Sequence, residues 1–130
     1  MSKLTIFRGL PGSGKSTQAK ELGCLHLEAD MYFYRNGEYS FDPSLIGAAH
    51  RWCQNRTHYA LAEGMDVAVA NTFTKLWELK PYLFMSWDDI EVVNCVGDFG
   101  SVHNVPREAI EKMAKRWEEF TTEMAKEYKQ

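Results

Sequence analysis

The sequence predicts an α/β fold: a three-layer sandwich whose helices cover both faces of a small, mostly parallel sheet of about four strands. Short apolar, β-rich runs alternate with segments of helical periodicity along the chain. This alternation is typical of parallel sheets with crossover helices. Polar or glycine-rich residues follow the apolar runs, at the edge where open parallel sheets place their ligands.

Length and composition fit one compact domain. The 130 residues are enough for a real core but not for a second domain, so we expect a single domain over residues 1–130. Hydrophobic residues make up 45% and charged residues 25% of the chain, which excludes a disordered tail. The formal net charge of −3 provides no global attraction to nucleic acid, so any polyanion must be held locally.

Cysteine usage and the amino terminus indicate an intracellular protein. The three cysteines are widely separated and form no C-x-x-C pair, so neither a disulfide framework nor a zinc site is indicated and buried free thiols are expected. A strand begins almost directly after Met1, which leaves no room for a signal peptide, and no apolar run approaches membrane-spanning length. We therefore expect a cytoplasmic protein without membrane contact.

A phosphate-binding motif follows the first predicted strand. Residues 4–7 form a short apolar run, and residues 9–17 match G-x-x-x-x-G-K-[ST] at every fixed position. A helix over residues 16–22 follows and stops at Gly23. Glycines allow positive φ and let backbone N–H groups approach an anion at the positive end of this helix. The predicted nucleotide-binding residues are Gly9, Leu10, Pro11, Gly12, Ser13, Gly14, Lys15, Ser16 and Thr17.

Two side chains of the motif have specific expected roles. Lys15 should reach the β- and γ-phosphates of ATP, and the Ser16 hydroxyl should ligate the Mg²⁺ that bridges them. The sequence thus predicts ATP and Mg²⁺ as cofactors. A glycine-rich turn without a ligand is the alternative, which the strand before the motif and the helix after it disfavour.

The second predicted strand, residues 24–28, leads to Asp30 at the ligand edge of the sheet. An aromatic-rich segment over residues 31–35 follows, and Asn36-Gly37 then indicates a turn. We expect this loop to form one wall of a substrate pocket.

Two helix–strand pairs occupy the middle of the chain. Asp42 caps a helix that stops at Gly64, and the apolar run 67–70 is typical of a central parallel strand. A helix over about 77–85 and a fourth strand over 90–96 complete the predicted sheet.

The end of the chain is predicted to hold a lid and one long helix. Residues 97–104 are glycine-rich and polar, which favours a mobile loop beside the site. A helix opened by Pro106 then carries apolar residues at helical spacing as far as Tyr128, and we expect this stripe to lie in the core.

Taken together, these segments resemble P-loop kinases of the polynucleotide 5′-kinase type, with zeta-toxin-like and chloramphenicol-phosphotransferase-like kinases as more distant relatives. The resemblance covers most of the chain and rests on residues 8–17, 29–33, 39–43, 49–54, 71–72, 77–82 and 105–110. It implies a P-loop kinase-like sandwich with an ATP site.

The resemblance also implies roles for individual residues. Asp30 matches the general base that accepts the proton of the acceptor hydroxyl, and a helix or turn cap is its structural alternative. Relatives often carry an aspartate that holds Mg²⁺ through water where this chain has Ala70. Family lids carry arginines that clamp phosphates, whereas residues 97–104 contain none, so Arg107 is the first candidate for the catalytic cation and Arg35 the second.

Three functions stay open at this point. The favoured one is an ATP-dependent phosphotransferase acting on a hydroxyl, with the 5′-hydroxyl of a nucleic acid or nucleotide as acceptor. A small-molecule or nucleoside monophosphate kinase would use the same scaffold. An ATP-binding regulatory protein with weakened catalysis and a protein partner is favoured by Ala70 and the arginine-free lid, but the intact motif and Asp30 oppose it.

Overall fold

The computed structural model describes residues 2–98 and 105–129. Its strands are β1 Lys3–Gly9, β2 Leu25–Leu27, β3 Tyr34–Arg35, β4 Glu38–Tyr39, β5 Val67–Asn71 and β6 Asp89–Cys95. Its α-helices are α1 Lys15–Glu21, α2 Ile46–Ala62, α3 Leu76–Leu83, α4 Arg107–Lys115 and α5 Thr122–Glu127. Short 3₁₀ helices lie at Ala29–Phe33 and Pro43–Leu45.

Four strands form one parallel sheet in the order β2-β5-β1-β6. Residues 4–9 of the central β1 are buried, as expected for a strand covered by helices on both faces. The predicted four-stranded parallel sheet is confirmed, with each strand within two residues of its expected bounds. Because all four strands run the same way, their carboxyl ends meet at one edge of the sheet.

Helices pack on both faces of this sheet, which gives the expected three layers. On one face, Cys53 of α2 and Leu79 of α3 belong to the same buried cluster as Ile6 of β1. On the other face, Ala19 of α1 lies in a smaller cluster with Ala70 of β5. Small side chains at these positions bring α1 close to the sheet and leave little apolar volume beneath the phosphate-binding motif.

The predicted limits of α2 are confirmed in outline. The Asp42 carboxylate accepts a hydrogen bond from the Ser44 backbone at 2.9 Å and so caps the 3₁₀ turn that leads into the helix. Gly64, with φ of 85°, follows the helix in the left-handed conformation that glycine tolerates best.

The predicted turn at Asn36-Gly37 connects a small antiparallel hairpin. Asn36 has φ of 53° and Gly37 has φ of 79°, the two positive values that a tight hairpin turn requires. Tyr34 of β3 pairs with Tyr39 of β4. The sequence analysis predicted the turn but not the two short strands beside it.

The prediction of one long final helix is wrong, because α4 ends at Lys115 and α5 begins only at Thr122. Between them, the Glu118 backbone N–H donates to the Thr74 carbonyl at 2.7 Å, a bond incompatible with continuing the helix. The Thr121 hydroxyl then caps α5 by accepting from the Met124 N–H at 3.3 Å. The expected core stripe is correspondingly shortened: Phe120 is buried, whereas Met124 and Tyr128 are exposed.

Most of the predicted lid, residues 99–104, lies outside the described residues. In the described part of the chain, no helix is long and apolar enough to cross a membrane. Cys53 and Cys95 are buried free thiols, as expected, and Cys24 is a half-buried one.

Candidate nucleotide-binding site

The phosphate-binding loop connects the end of β1 to the start of α1. Gly12 and Gly14 have φ of 82° and 91°, a left-handed conformation that costs other residues about 1–2 kcal/mol. The Ser13 N–H donates to the Leu10 carbonyl at 3.1 Å, which closes the loop on itself. The predicted strand–loop–helix arrangement around the motif is therefore confirmed.

Gly9 is required by close packing rather than by its own dihedral angles. A Cβ placed on Gly9 would clash with the Ser13 Oγ and would lie 2.8 Å from the Cys95 carbonyl oxygen. Side chains at this position would push the loop away from the end of β6. The loop thus lies directly against the carboxyl edge of the sheet.

The residues of the loop fit a bound phosphate chain. The Ser13 hydroxyl is buried and has no hydrogen-bond partner within the described structure, an arrangement that costs free energy until an acceptor or donor reaches it. The α1 helix starts at Lys15, so its first N–H groups and its dipole favour an anion at the same place. A nucleotide phosphate would meet both requirements.

Lys15 lies at the base of this loop and is largely withdrawn from solvent. Its Nζ donates to the Leu10 carbonyl at 3.4 Å. Burial lowers the pKa of Lys15 below its usual value, although the charges of Glu28, Cys95 and Asp30 partly oppose this effect. A buried ammonium in a site with few partners is well suited to bind a polyanionic ligand.

Ser16, the predicted Mg²⁺ ligand, occupies the first turn of α1. Among residues 2–98 and 105–129, no group of three or more His, Cys, Asp and Glu side chains is placed to hold a metal ion. A metal at this site would have the Ser16 hydroxyl as a predicted ligand, together with oxygens of the nucleotide and water.

Glu28 is a site residue that the sequence analysis missed. It follows β2 directly, and its carboxylate lies 2.6 Å from the Nε2 of His26. Burial raises the pKa of Glu28, but hydrogen bonds from His26 and Ser16 and the charges of His26 and Lys15 outweigh it and lower the pKa overall. The alternating pattern of residues 24–28 was a signal, because it places His26 and Glu28 on one face of the strand.

Asp30 lies in the 3₁₀ helix that follows β2, close enough to Lys15 for its charge to raise the pKa of that lysine. Its Oδ1 accepts a hydrogen bond from the Tyr39 hydroxyl at 3.1 Å. Burial, followed by the charge and hydrogen bond of Asp30, raises the pKa of Tyr39 to about 12. Tyr39 therefore remains a donor at neutral pH and fixes the orientation of the Asp30 carboxylate.

Two buried polar side chains hold the strand ends in place. The Asn71 Oδ1, at the end of β5, accepts from the Ala29 N–H at 2.9 Å and so fixes the start of the Asp30 segment. Arg8, the residue before the motif, is fully buried and donates to the carbonyls of Phe73 and Glu118 at 2.5–3.1 Å. Neither residue was singled out by the sequence analysis as a support for the site.

The structure does not bring the two predicted catalytic arginines to the phosphate-binding loop. Arg107, at the start of α4, has a side chain that is 92% exposed and pairs with Glu111 one turn later at 3.3 Å. Arg35 is exposed on the hairpin, where it faces Glu38. Their catalytic roles stay predictions. Residues 99–104, which form most of the predicted lid before Arg107, lie outside the described residues.

Comparison with known proteins identifies the family. A family model described as an AAA domain matches residues 4–89, which is more than half of the chain. The chain belongs to this AAA domain family. The match includes the phosphate-binding motif at residues 9–17.

One curated relative shares substantial identity with this AAA domain. NEDD4-binding protein 2 from Homo sapiens is 43% identical over an alignment of 89 residues, and the alignment covers 64% of this chain and 5% of the relative. The AAA domain therefore corresponds to a small part of that protein.

Solved structures share the fold of the AAA domain at low sequence identity. A chain in a structure of the Pnkp1/Rnl/Hen1 complex has a TM-score of 0.58 and 21% identity, with 85% of this chain and 38% of that chain covered. An unliganded sugar kinase from Janibacter sp. HTCC2649 has a TM-score of 0.56 and 14% identity, with coverages of 98% and 75%. These similarities confirm the P-loop kinase-like α/β fold.

Proposed function

We propose that this AAA domain is an ATP-dependent kinase that transfers the γ-phosphate to a hydroxyl, with the 5′-hydroxyl of a nucleic acid or nucleotide as acceptor. The observation that carries the proposal is that the segments with Lys15 and Asp30 follow β1 and β2 at the same edge of the parallel sheet. One residue suits phosphate binding and the other suits proton acceptance.

The residues divide the chemistry between them. Bound ATP–Mg²⁺ supplies the phosphoryl group and neutralises charge on it. Lys15 and the backbone N–H groups of the loop would hold the phosphate chain, and the Ser16 hydroxyl would hold the Mg²⁺. The oxygen of the acceptor hydroxyl bonds to the γ-phosphorus, and Asp30 accepts the proton of this hydroxyl. The bond from the phosphorus to the departing ADP oxygen breaks at the same time.

A cavity beside the loop offers a place for the nucleoside. It has a volume of about 430 Å³, and its lining includes Leu10 and Ser13 of the loop together with Cys95, Val96 and Trp117. Apolar walls next to a phosphate site are typical of nucleotide pockets. The adenine and ribose of ATP are the groups that we assign to this cavity.

The hairpin region supplies the aromatic surface on which the acceptor proposal rests. A smaller cavity of about 240 Å³ is lined in part by Tyr32, Phe33 and Arg35. Close by, the rings of Tyr39 and Phe41 stack at an interplanar angle of 11°, and Phe41 is half exposed. Aromatic rings with a nearby arginine are what single-stranded nucleic acid uses for base stacking and phosphate contact.

The fold neighbours support this acceptor without excluding a smaller one. A chain of an RNA repair complex shares the fold with 98% of this chain covered, at a TM-score of 0.56 and 20% identity. The sugar kinase shares it equally well, so a small-molecule kinase is the second candidate. The ATP-binding regulator is the third, and it is favoured by the buried Ala70 where relatives often place an aspartate.

Transfer of label from γ-labelled ATP–Mg²⁺ tests the proposal. We expect labelling of a 5′-hydroxyl oligonucleotide and none of the same oligonucleotide with a 5′-phosphate. Nucleosides, sugars and amino sugars complete the panel. Label on a sugar would identify the second candidate, and nucleotide binding without any transfer would identify the third.

Substitution of Lys15 tests the nucleotide site itself. Lys15→Ala should lose much of the ATP–Mg²⁺ affinity and nearly all turnover, because it removes the cation that contacts the phosphates. Lys20→Ala is the matched control, since Lys20 is exposed on the same helix. Unchanged affinity by calorimetry in folded Lys15→Ala protein would contradict the whole proposal.

A further inference from the structure

The carboxylate absent at residue 70 has a neighbour on the adjacent strand. The register of β2 on β5 pairs His26 with Ala68 and Leu27 with Val69. β2 ends at Leu27, and continuing this register by one residue places Glu28 beside Ala70. The two positions are therefore lateral neighbours at the ligand edge of the sheet.

Strand alternation places these neighbours on the face that carries the phosphate-binding helix. Leu27 and Val69 point into the large core, so the residues that follow them point to the opposite face. Ala70 indeed lies in the small cluster with Ala19 of α1. Glu28 emerges on the same side, next to the space that an aspartate at residue 70 would occupy.

The Glu28 carboxylate is already connected to the phosphate-binding loop. Its side chain is only 17% exposed and is held from behind by His26. It lies close to Ser16 and Lys15 of the phosphate-binding motif. A carboxylate held by one partner and lying near a predicted metal ligand is typical of groups that orient metal sites.

We propose that Glu28 takes the place of the carboxylate missing at Ala70 and supports the Mg²⁺ held by Ser16. This inference rests on the proposed nucleotide site. The acidic group then lies at the end of the neighbouring strand β2 instead of on β5, still beside the phosphate-binding motif. Ala70 then provides the room that the longer glutamate side chain needs.

The test compares nucleotide affinity with and without metal. Calorimetry with the β,γ-imido analogue of ATP gives one dissociation constant in Mg²⁺ and another in EDTA, and their ratio is the gain due to the metal. Glu28→Gln should reduce this gain by about 10- to 100-fold, the usual cost of losing a group that orients a metal ligand. Affinity in EDTA should not fall, because the variant removes a negative charge near the phosphates.

Matched variants make the result specific. Glu21→Gln, at an exposed carboxylate of α1, should keep the wild-type gain. Ala70→Asp placed in the Glu28→Gln background should restore part of it. If Glu28→Gln does not fold, Glu28→Asp replaces it, and a smaller but measurable loss of the gain is expected.

Three outcomes separate the explanations. An unchanged gain in Glu28→Gln or Glu28→Asp would overturn the inference and leave the nucleotide site intact. An equal loss of affinity with and without metal would also overturn it, since Glu28 would then merely shape the loop. Absence of any binding by the wild-type protein would refute the proposed function instead.

Discussion

Arg8 gives the sharpest test of how the sheet edge is held together. Its side chain is fully buried one residue before the phosphate-binding motif. The guanidinium donates to the Phe73 carbonyl at 3.1 and 2.5 Å and to the Glu118 carbonyl at 2.7 Å. It also donates to the Asn94 Oδ1 at 3.3 Å and lies 3.9 Å from the centre of the Trp117 ring.

Arg8→Met should destabilise the protein by about 2–4 kcal/mol. Two buried carbonyls left without a donor cost about 1–3 kcal/mol each, and loss of the cation–π contact adds about 0.5–2 kcal/mol. In the wild-type protein, burial of the guanidinium costs free energy and lowers the pKa of Arg8 to about 10. Methionine carries no charge, so the variant does not have this cost, and the net loss of stability is smaller. The net loss remains below the stability of about 5–15 kcal/mol that is usual for a domain, so the variant should still fold.

Urea denaturation followed by fluorescence gives the free energy of unfolding for each variant. Arg8→Lys should lose nearly as much as Arg8→Met, since a lysine cannot make the forked contact with two carbonyls. Arg51→Met, at an exposed position of α2, should change stability by less than about 0.5 kcal/mol. An Arg8→Met protein within about 1 kcal/mol of wild type would refute the reasoning.

The remaining predictions concern catalysis by residues already placed. Asp30→Asn should keep ATP affinity and lower phosphoryl transfer by about 10²–10⁴-fold, because an amide cannot accept the hydroxyl proton; a wild-type rate in single-turnover assays would reduce Asp30 to a structural cap. Arg107→Ala should slow transfer by up to about 10³-fold if closure brings this exposed side chain to the phosphates. Arg35→Ala, assayed alongside, should have the smaller effect, and wild-type rates for both would leave neither arginine a role in the site.

Much of the fold could be predicted because its signals are local. The phosphate-binding motif, the apolar strand runs and the stop at Gly64 each depend on a few adjacent residues, and each lies where it was expected. The break at residues 116–121 could not be predicted in this way. Its cause is a hydrogen bond from Glu118 to Thr74, which are far apart in the sequence.

The same distinction between local signals and contacts of distant residues applies to the candidate site. Lys15, Ser16 and Asp30 could be predicted as site residues because motif spacing and strand ends mark them. Glu28 was missed because its expected role depends on β2 being the neighbour of β5 in the sheet, and the sequence alone does not give this strand order. Arg8 entered the prediction only as the first residue of the stretch 8–17 that resembles P-loop kinases. Nothing in the adjacent sequence shows that this charged residue in an apolar strand donates to backbone carbonyls.

The partners of Arg8 also bear on how this chain reaches its native state during synthesis. The family match ends at residue 89, yet Arg8 bonds to Asn94 and to Glu118, which is 110 residues away in the chain. A nascent chain that has emerged only as far as residue 89 lacks the Asn94, Trp117 and Glu118 partners of Arg8. Completion of the fold must therefore wait until residue 118 has left the ribosome, and contacts this distant in sequence are the slow ones to form.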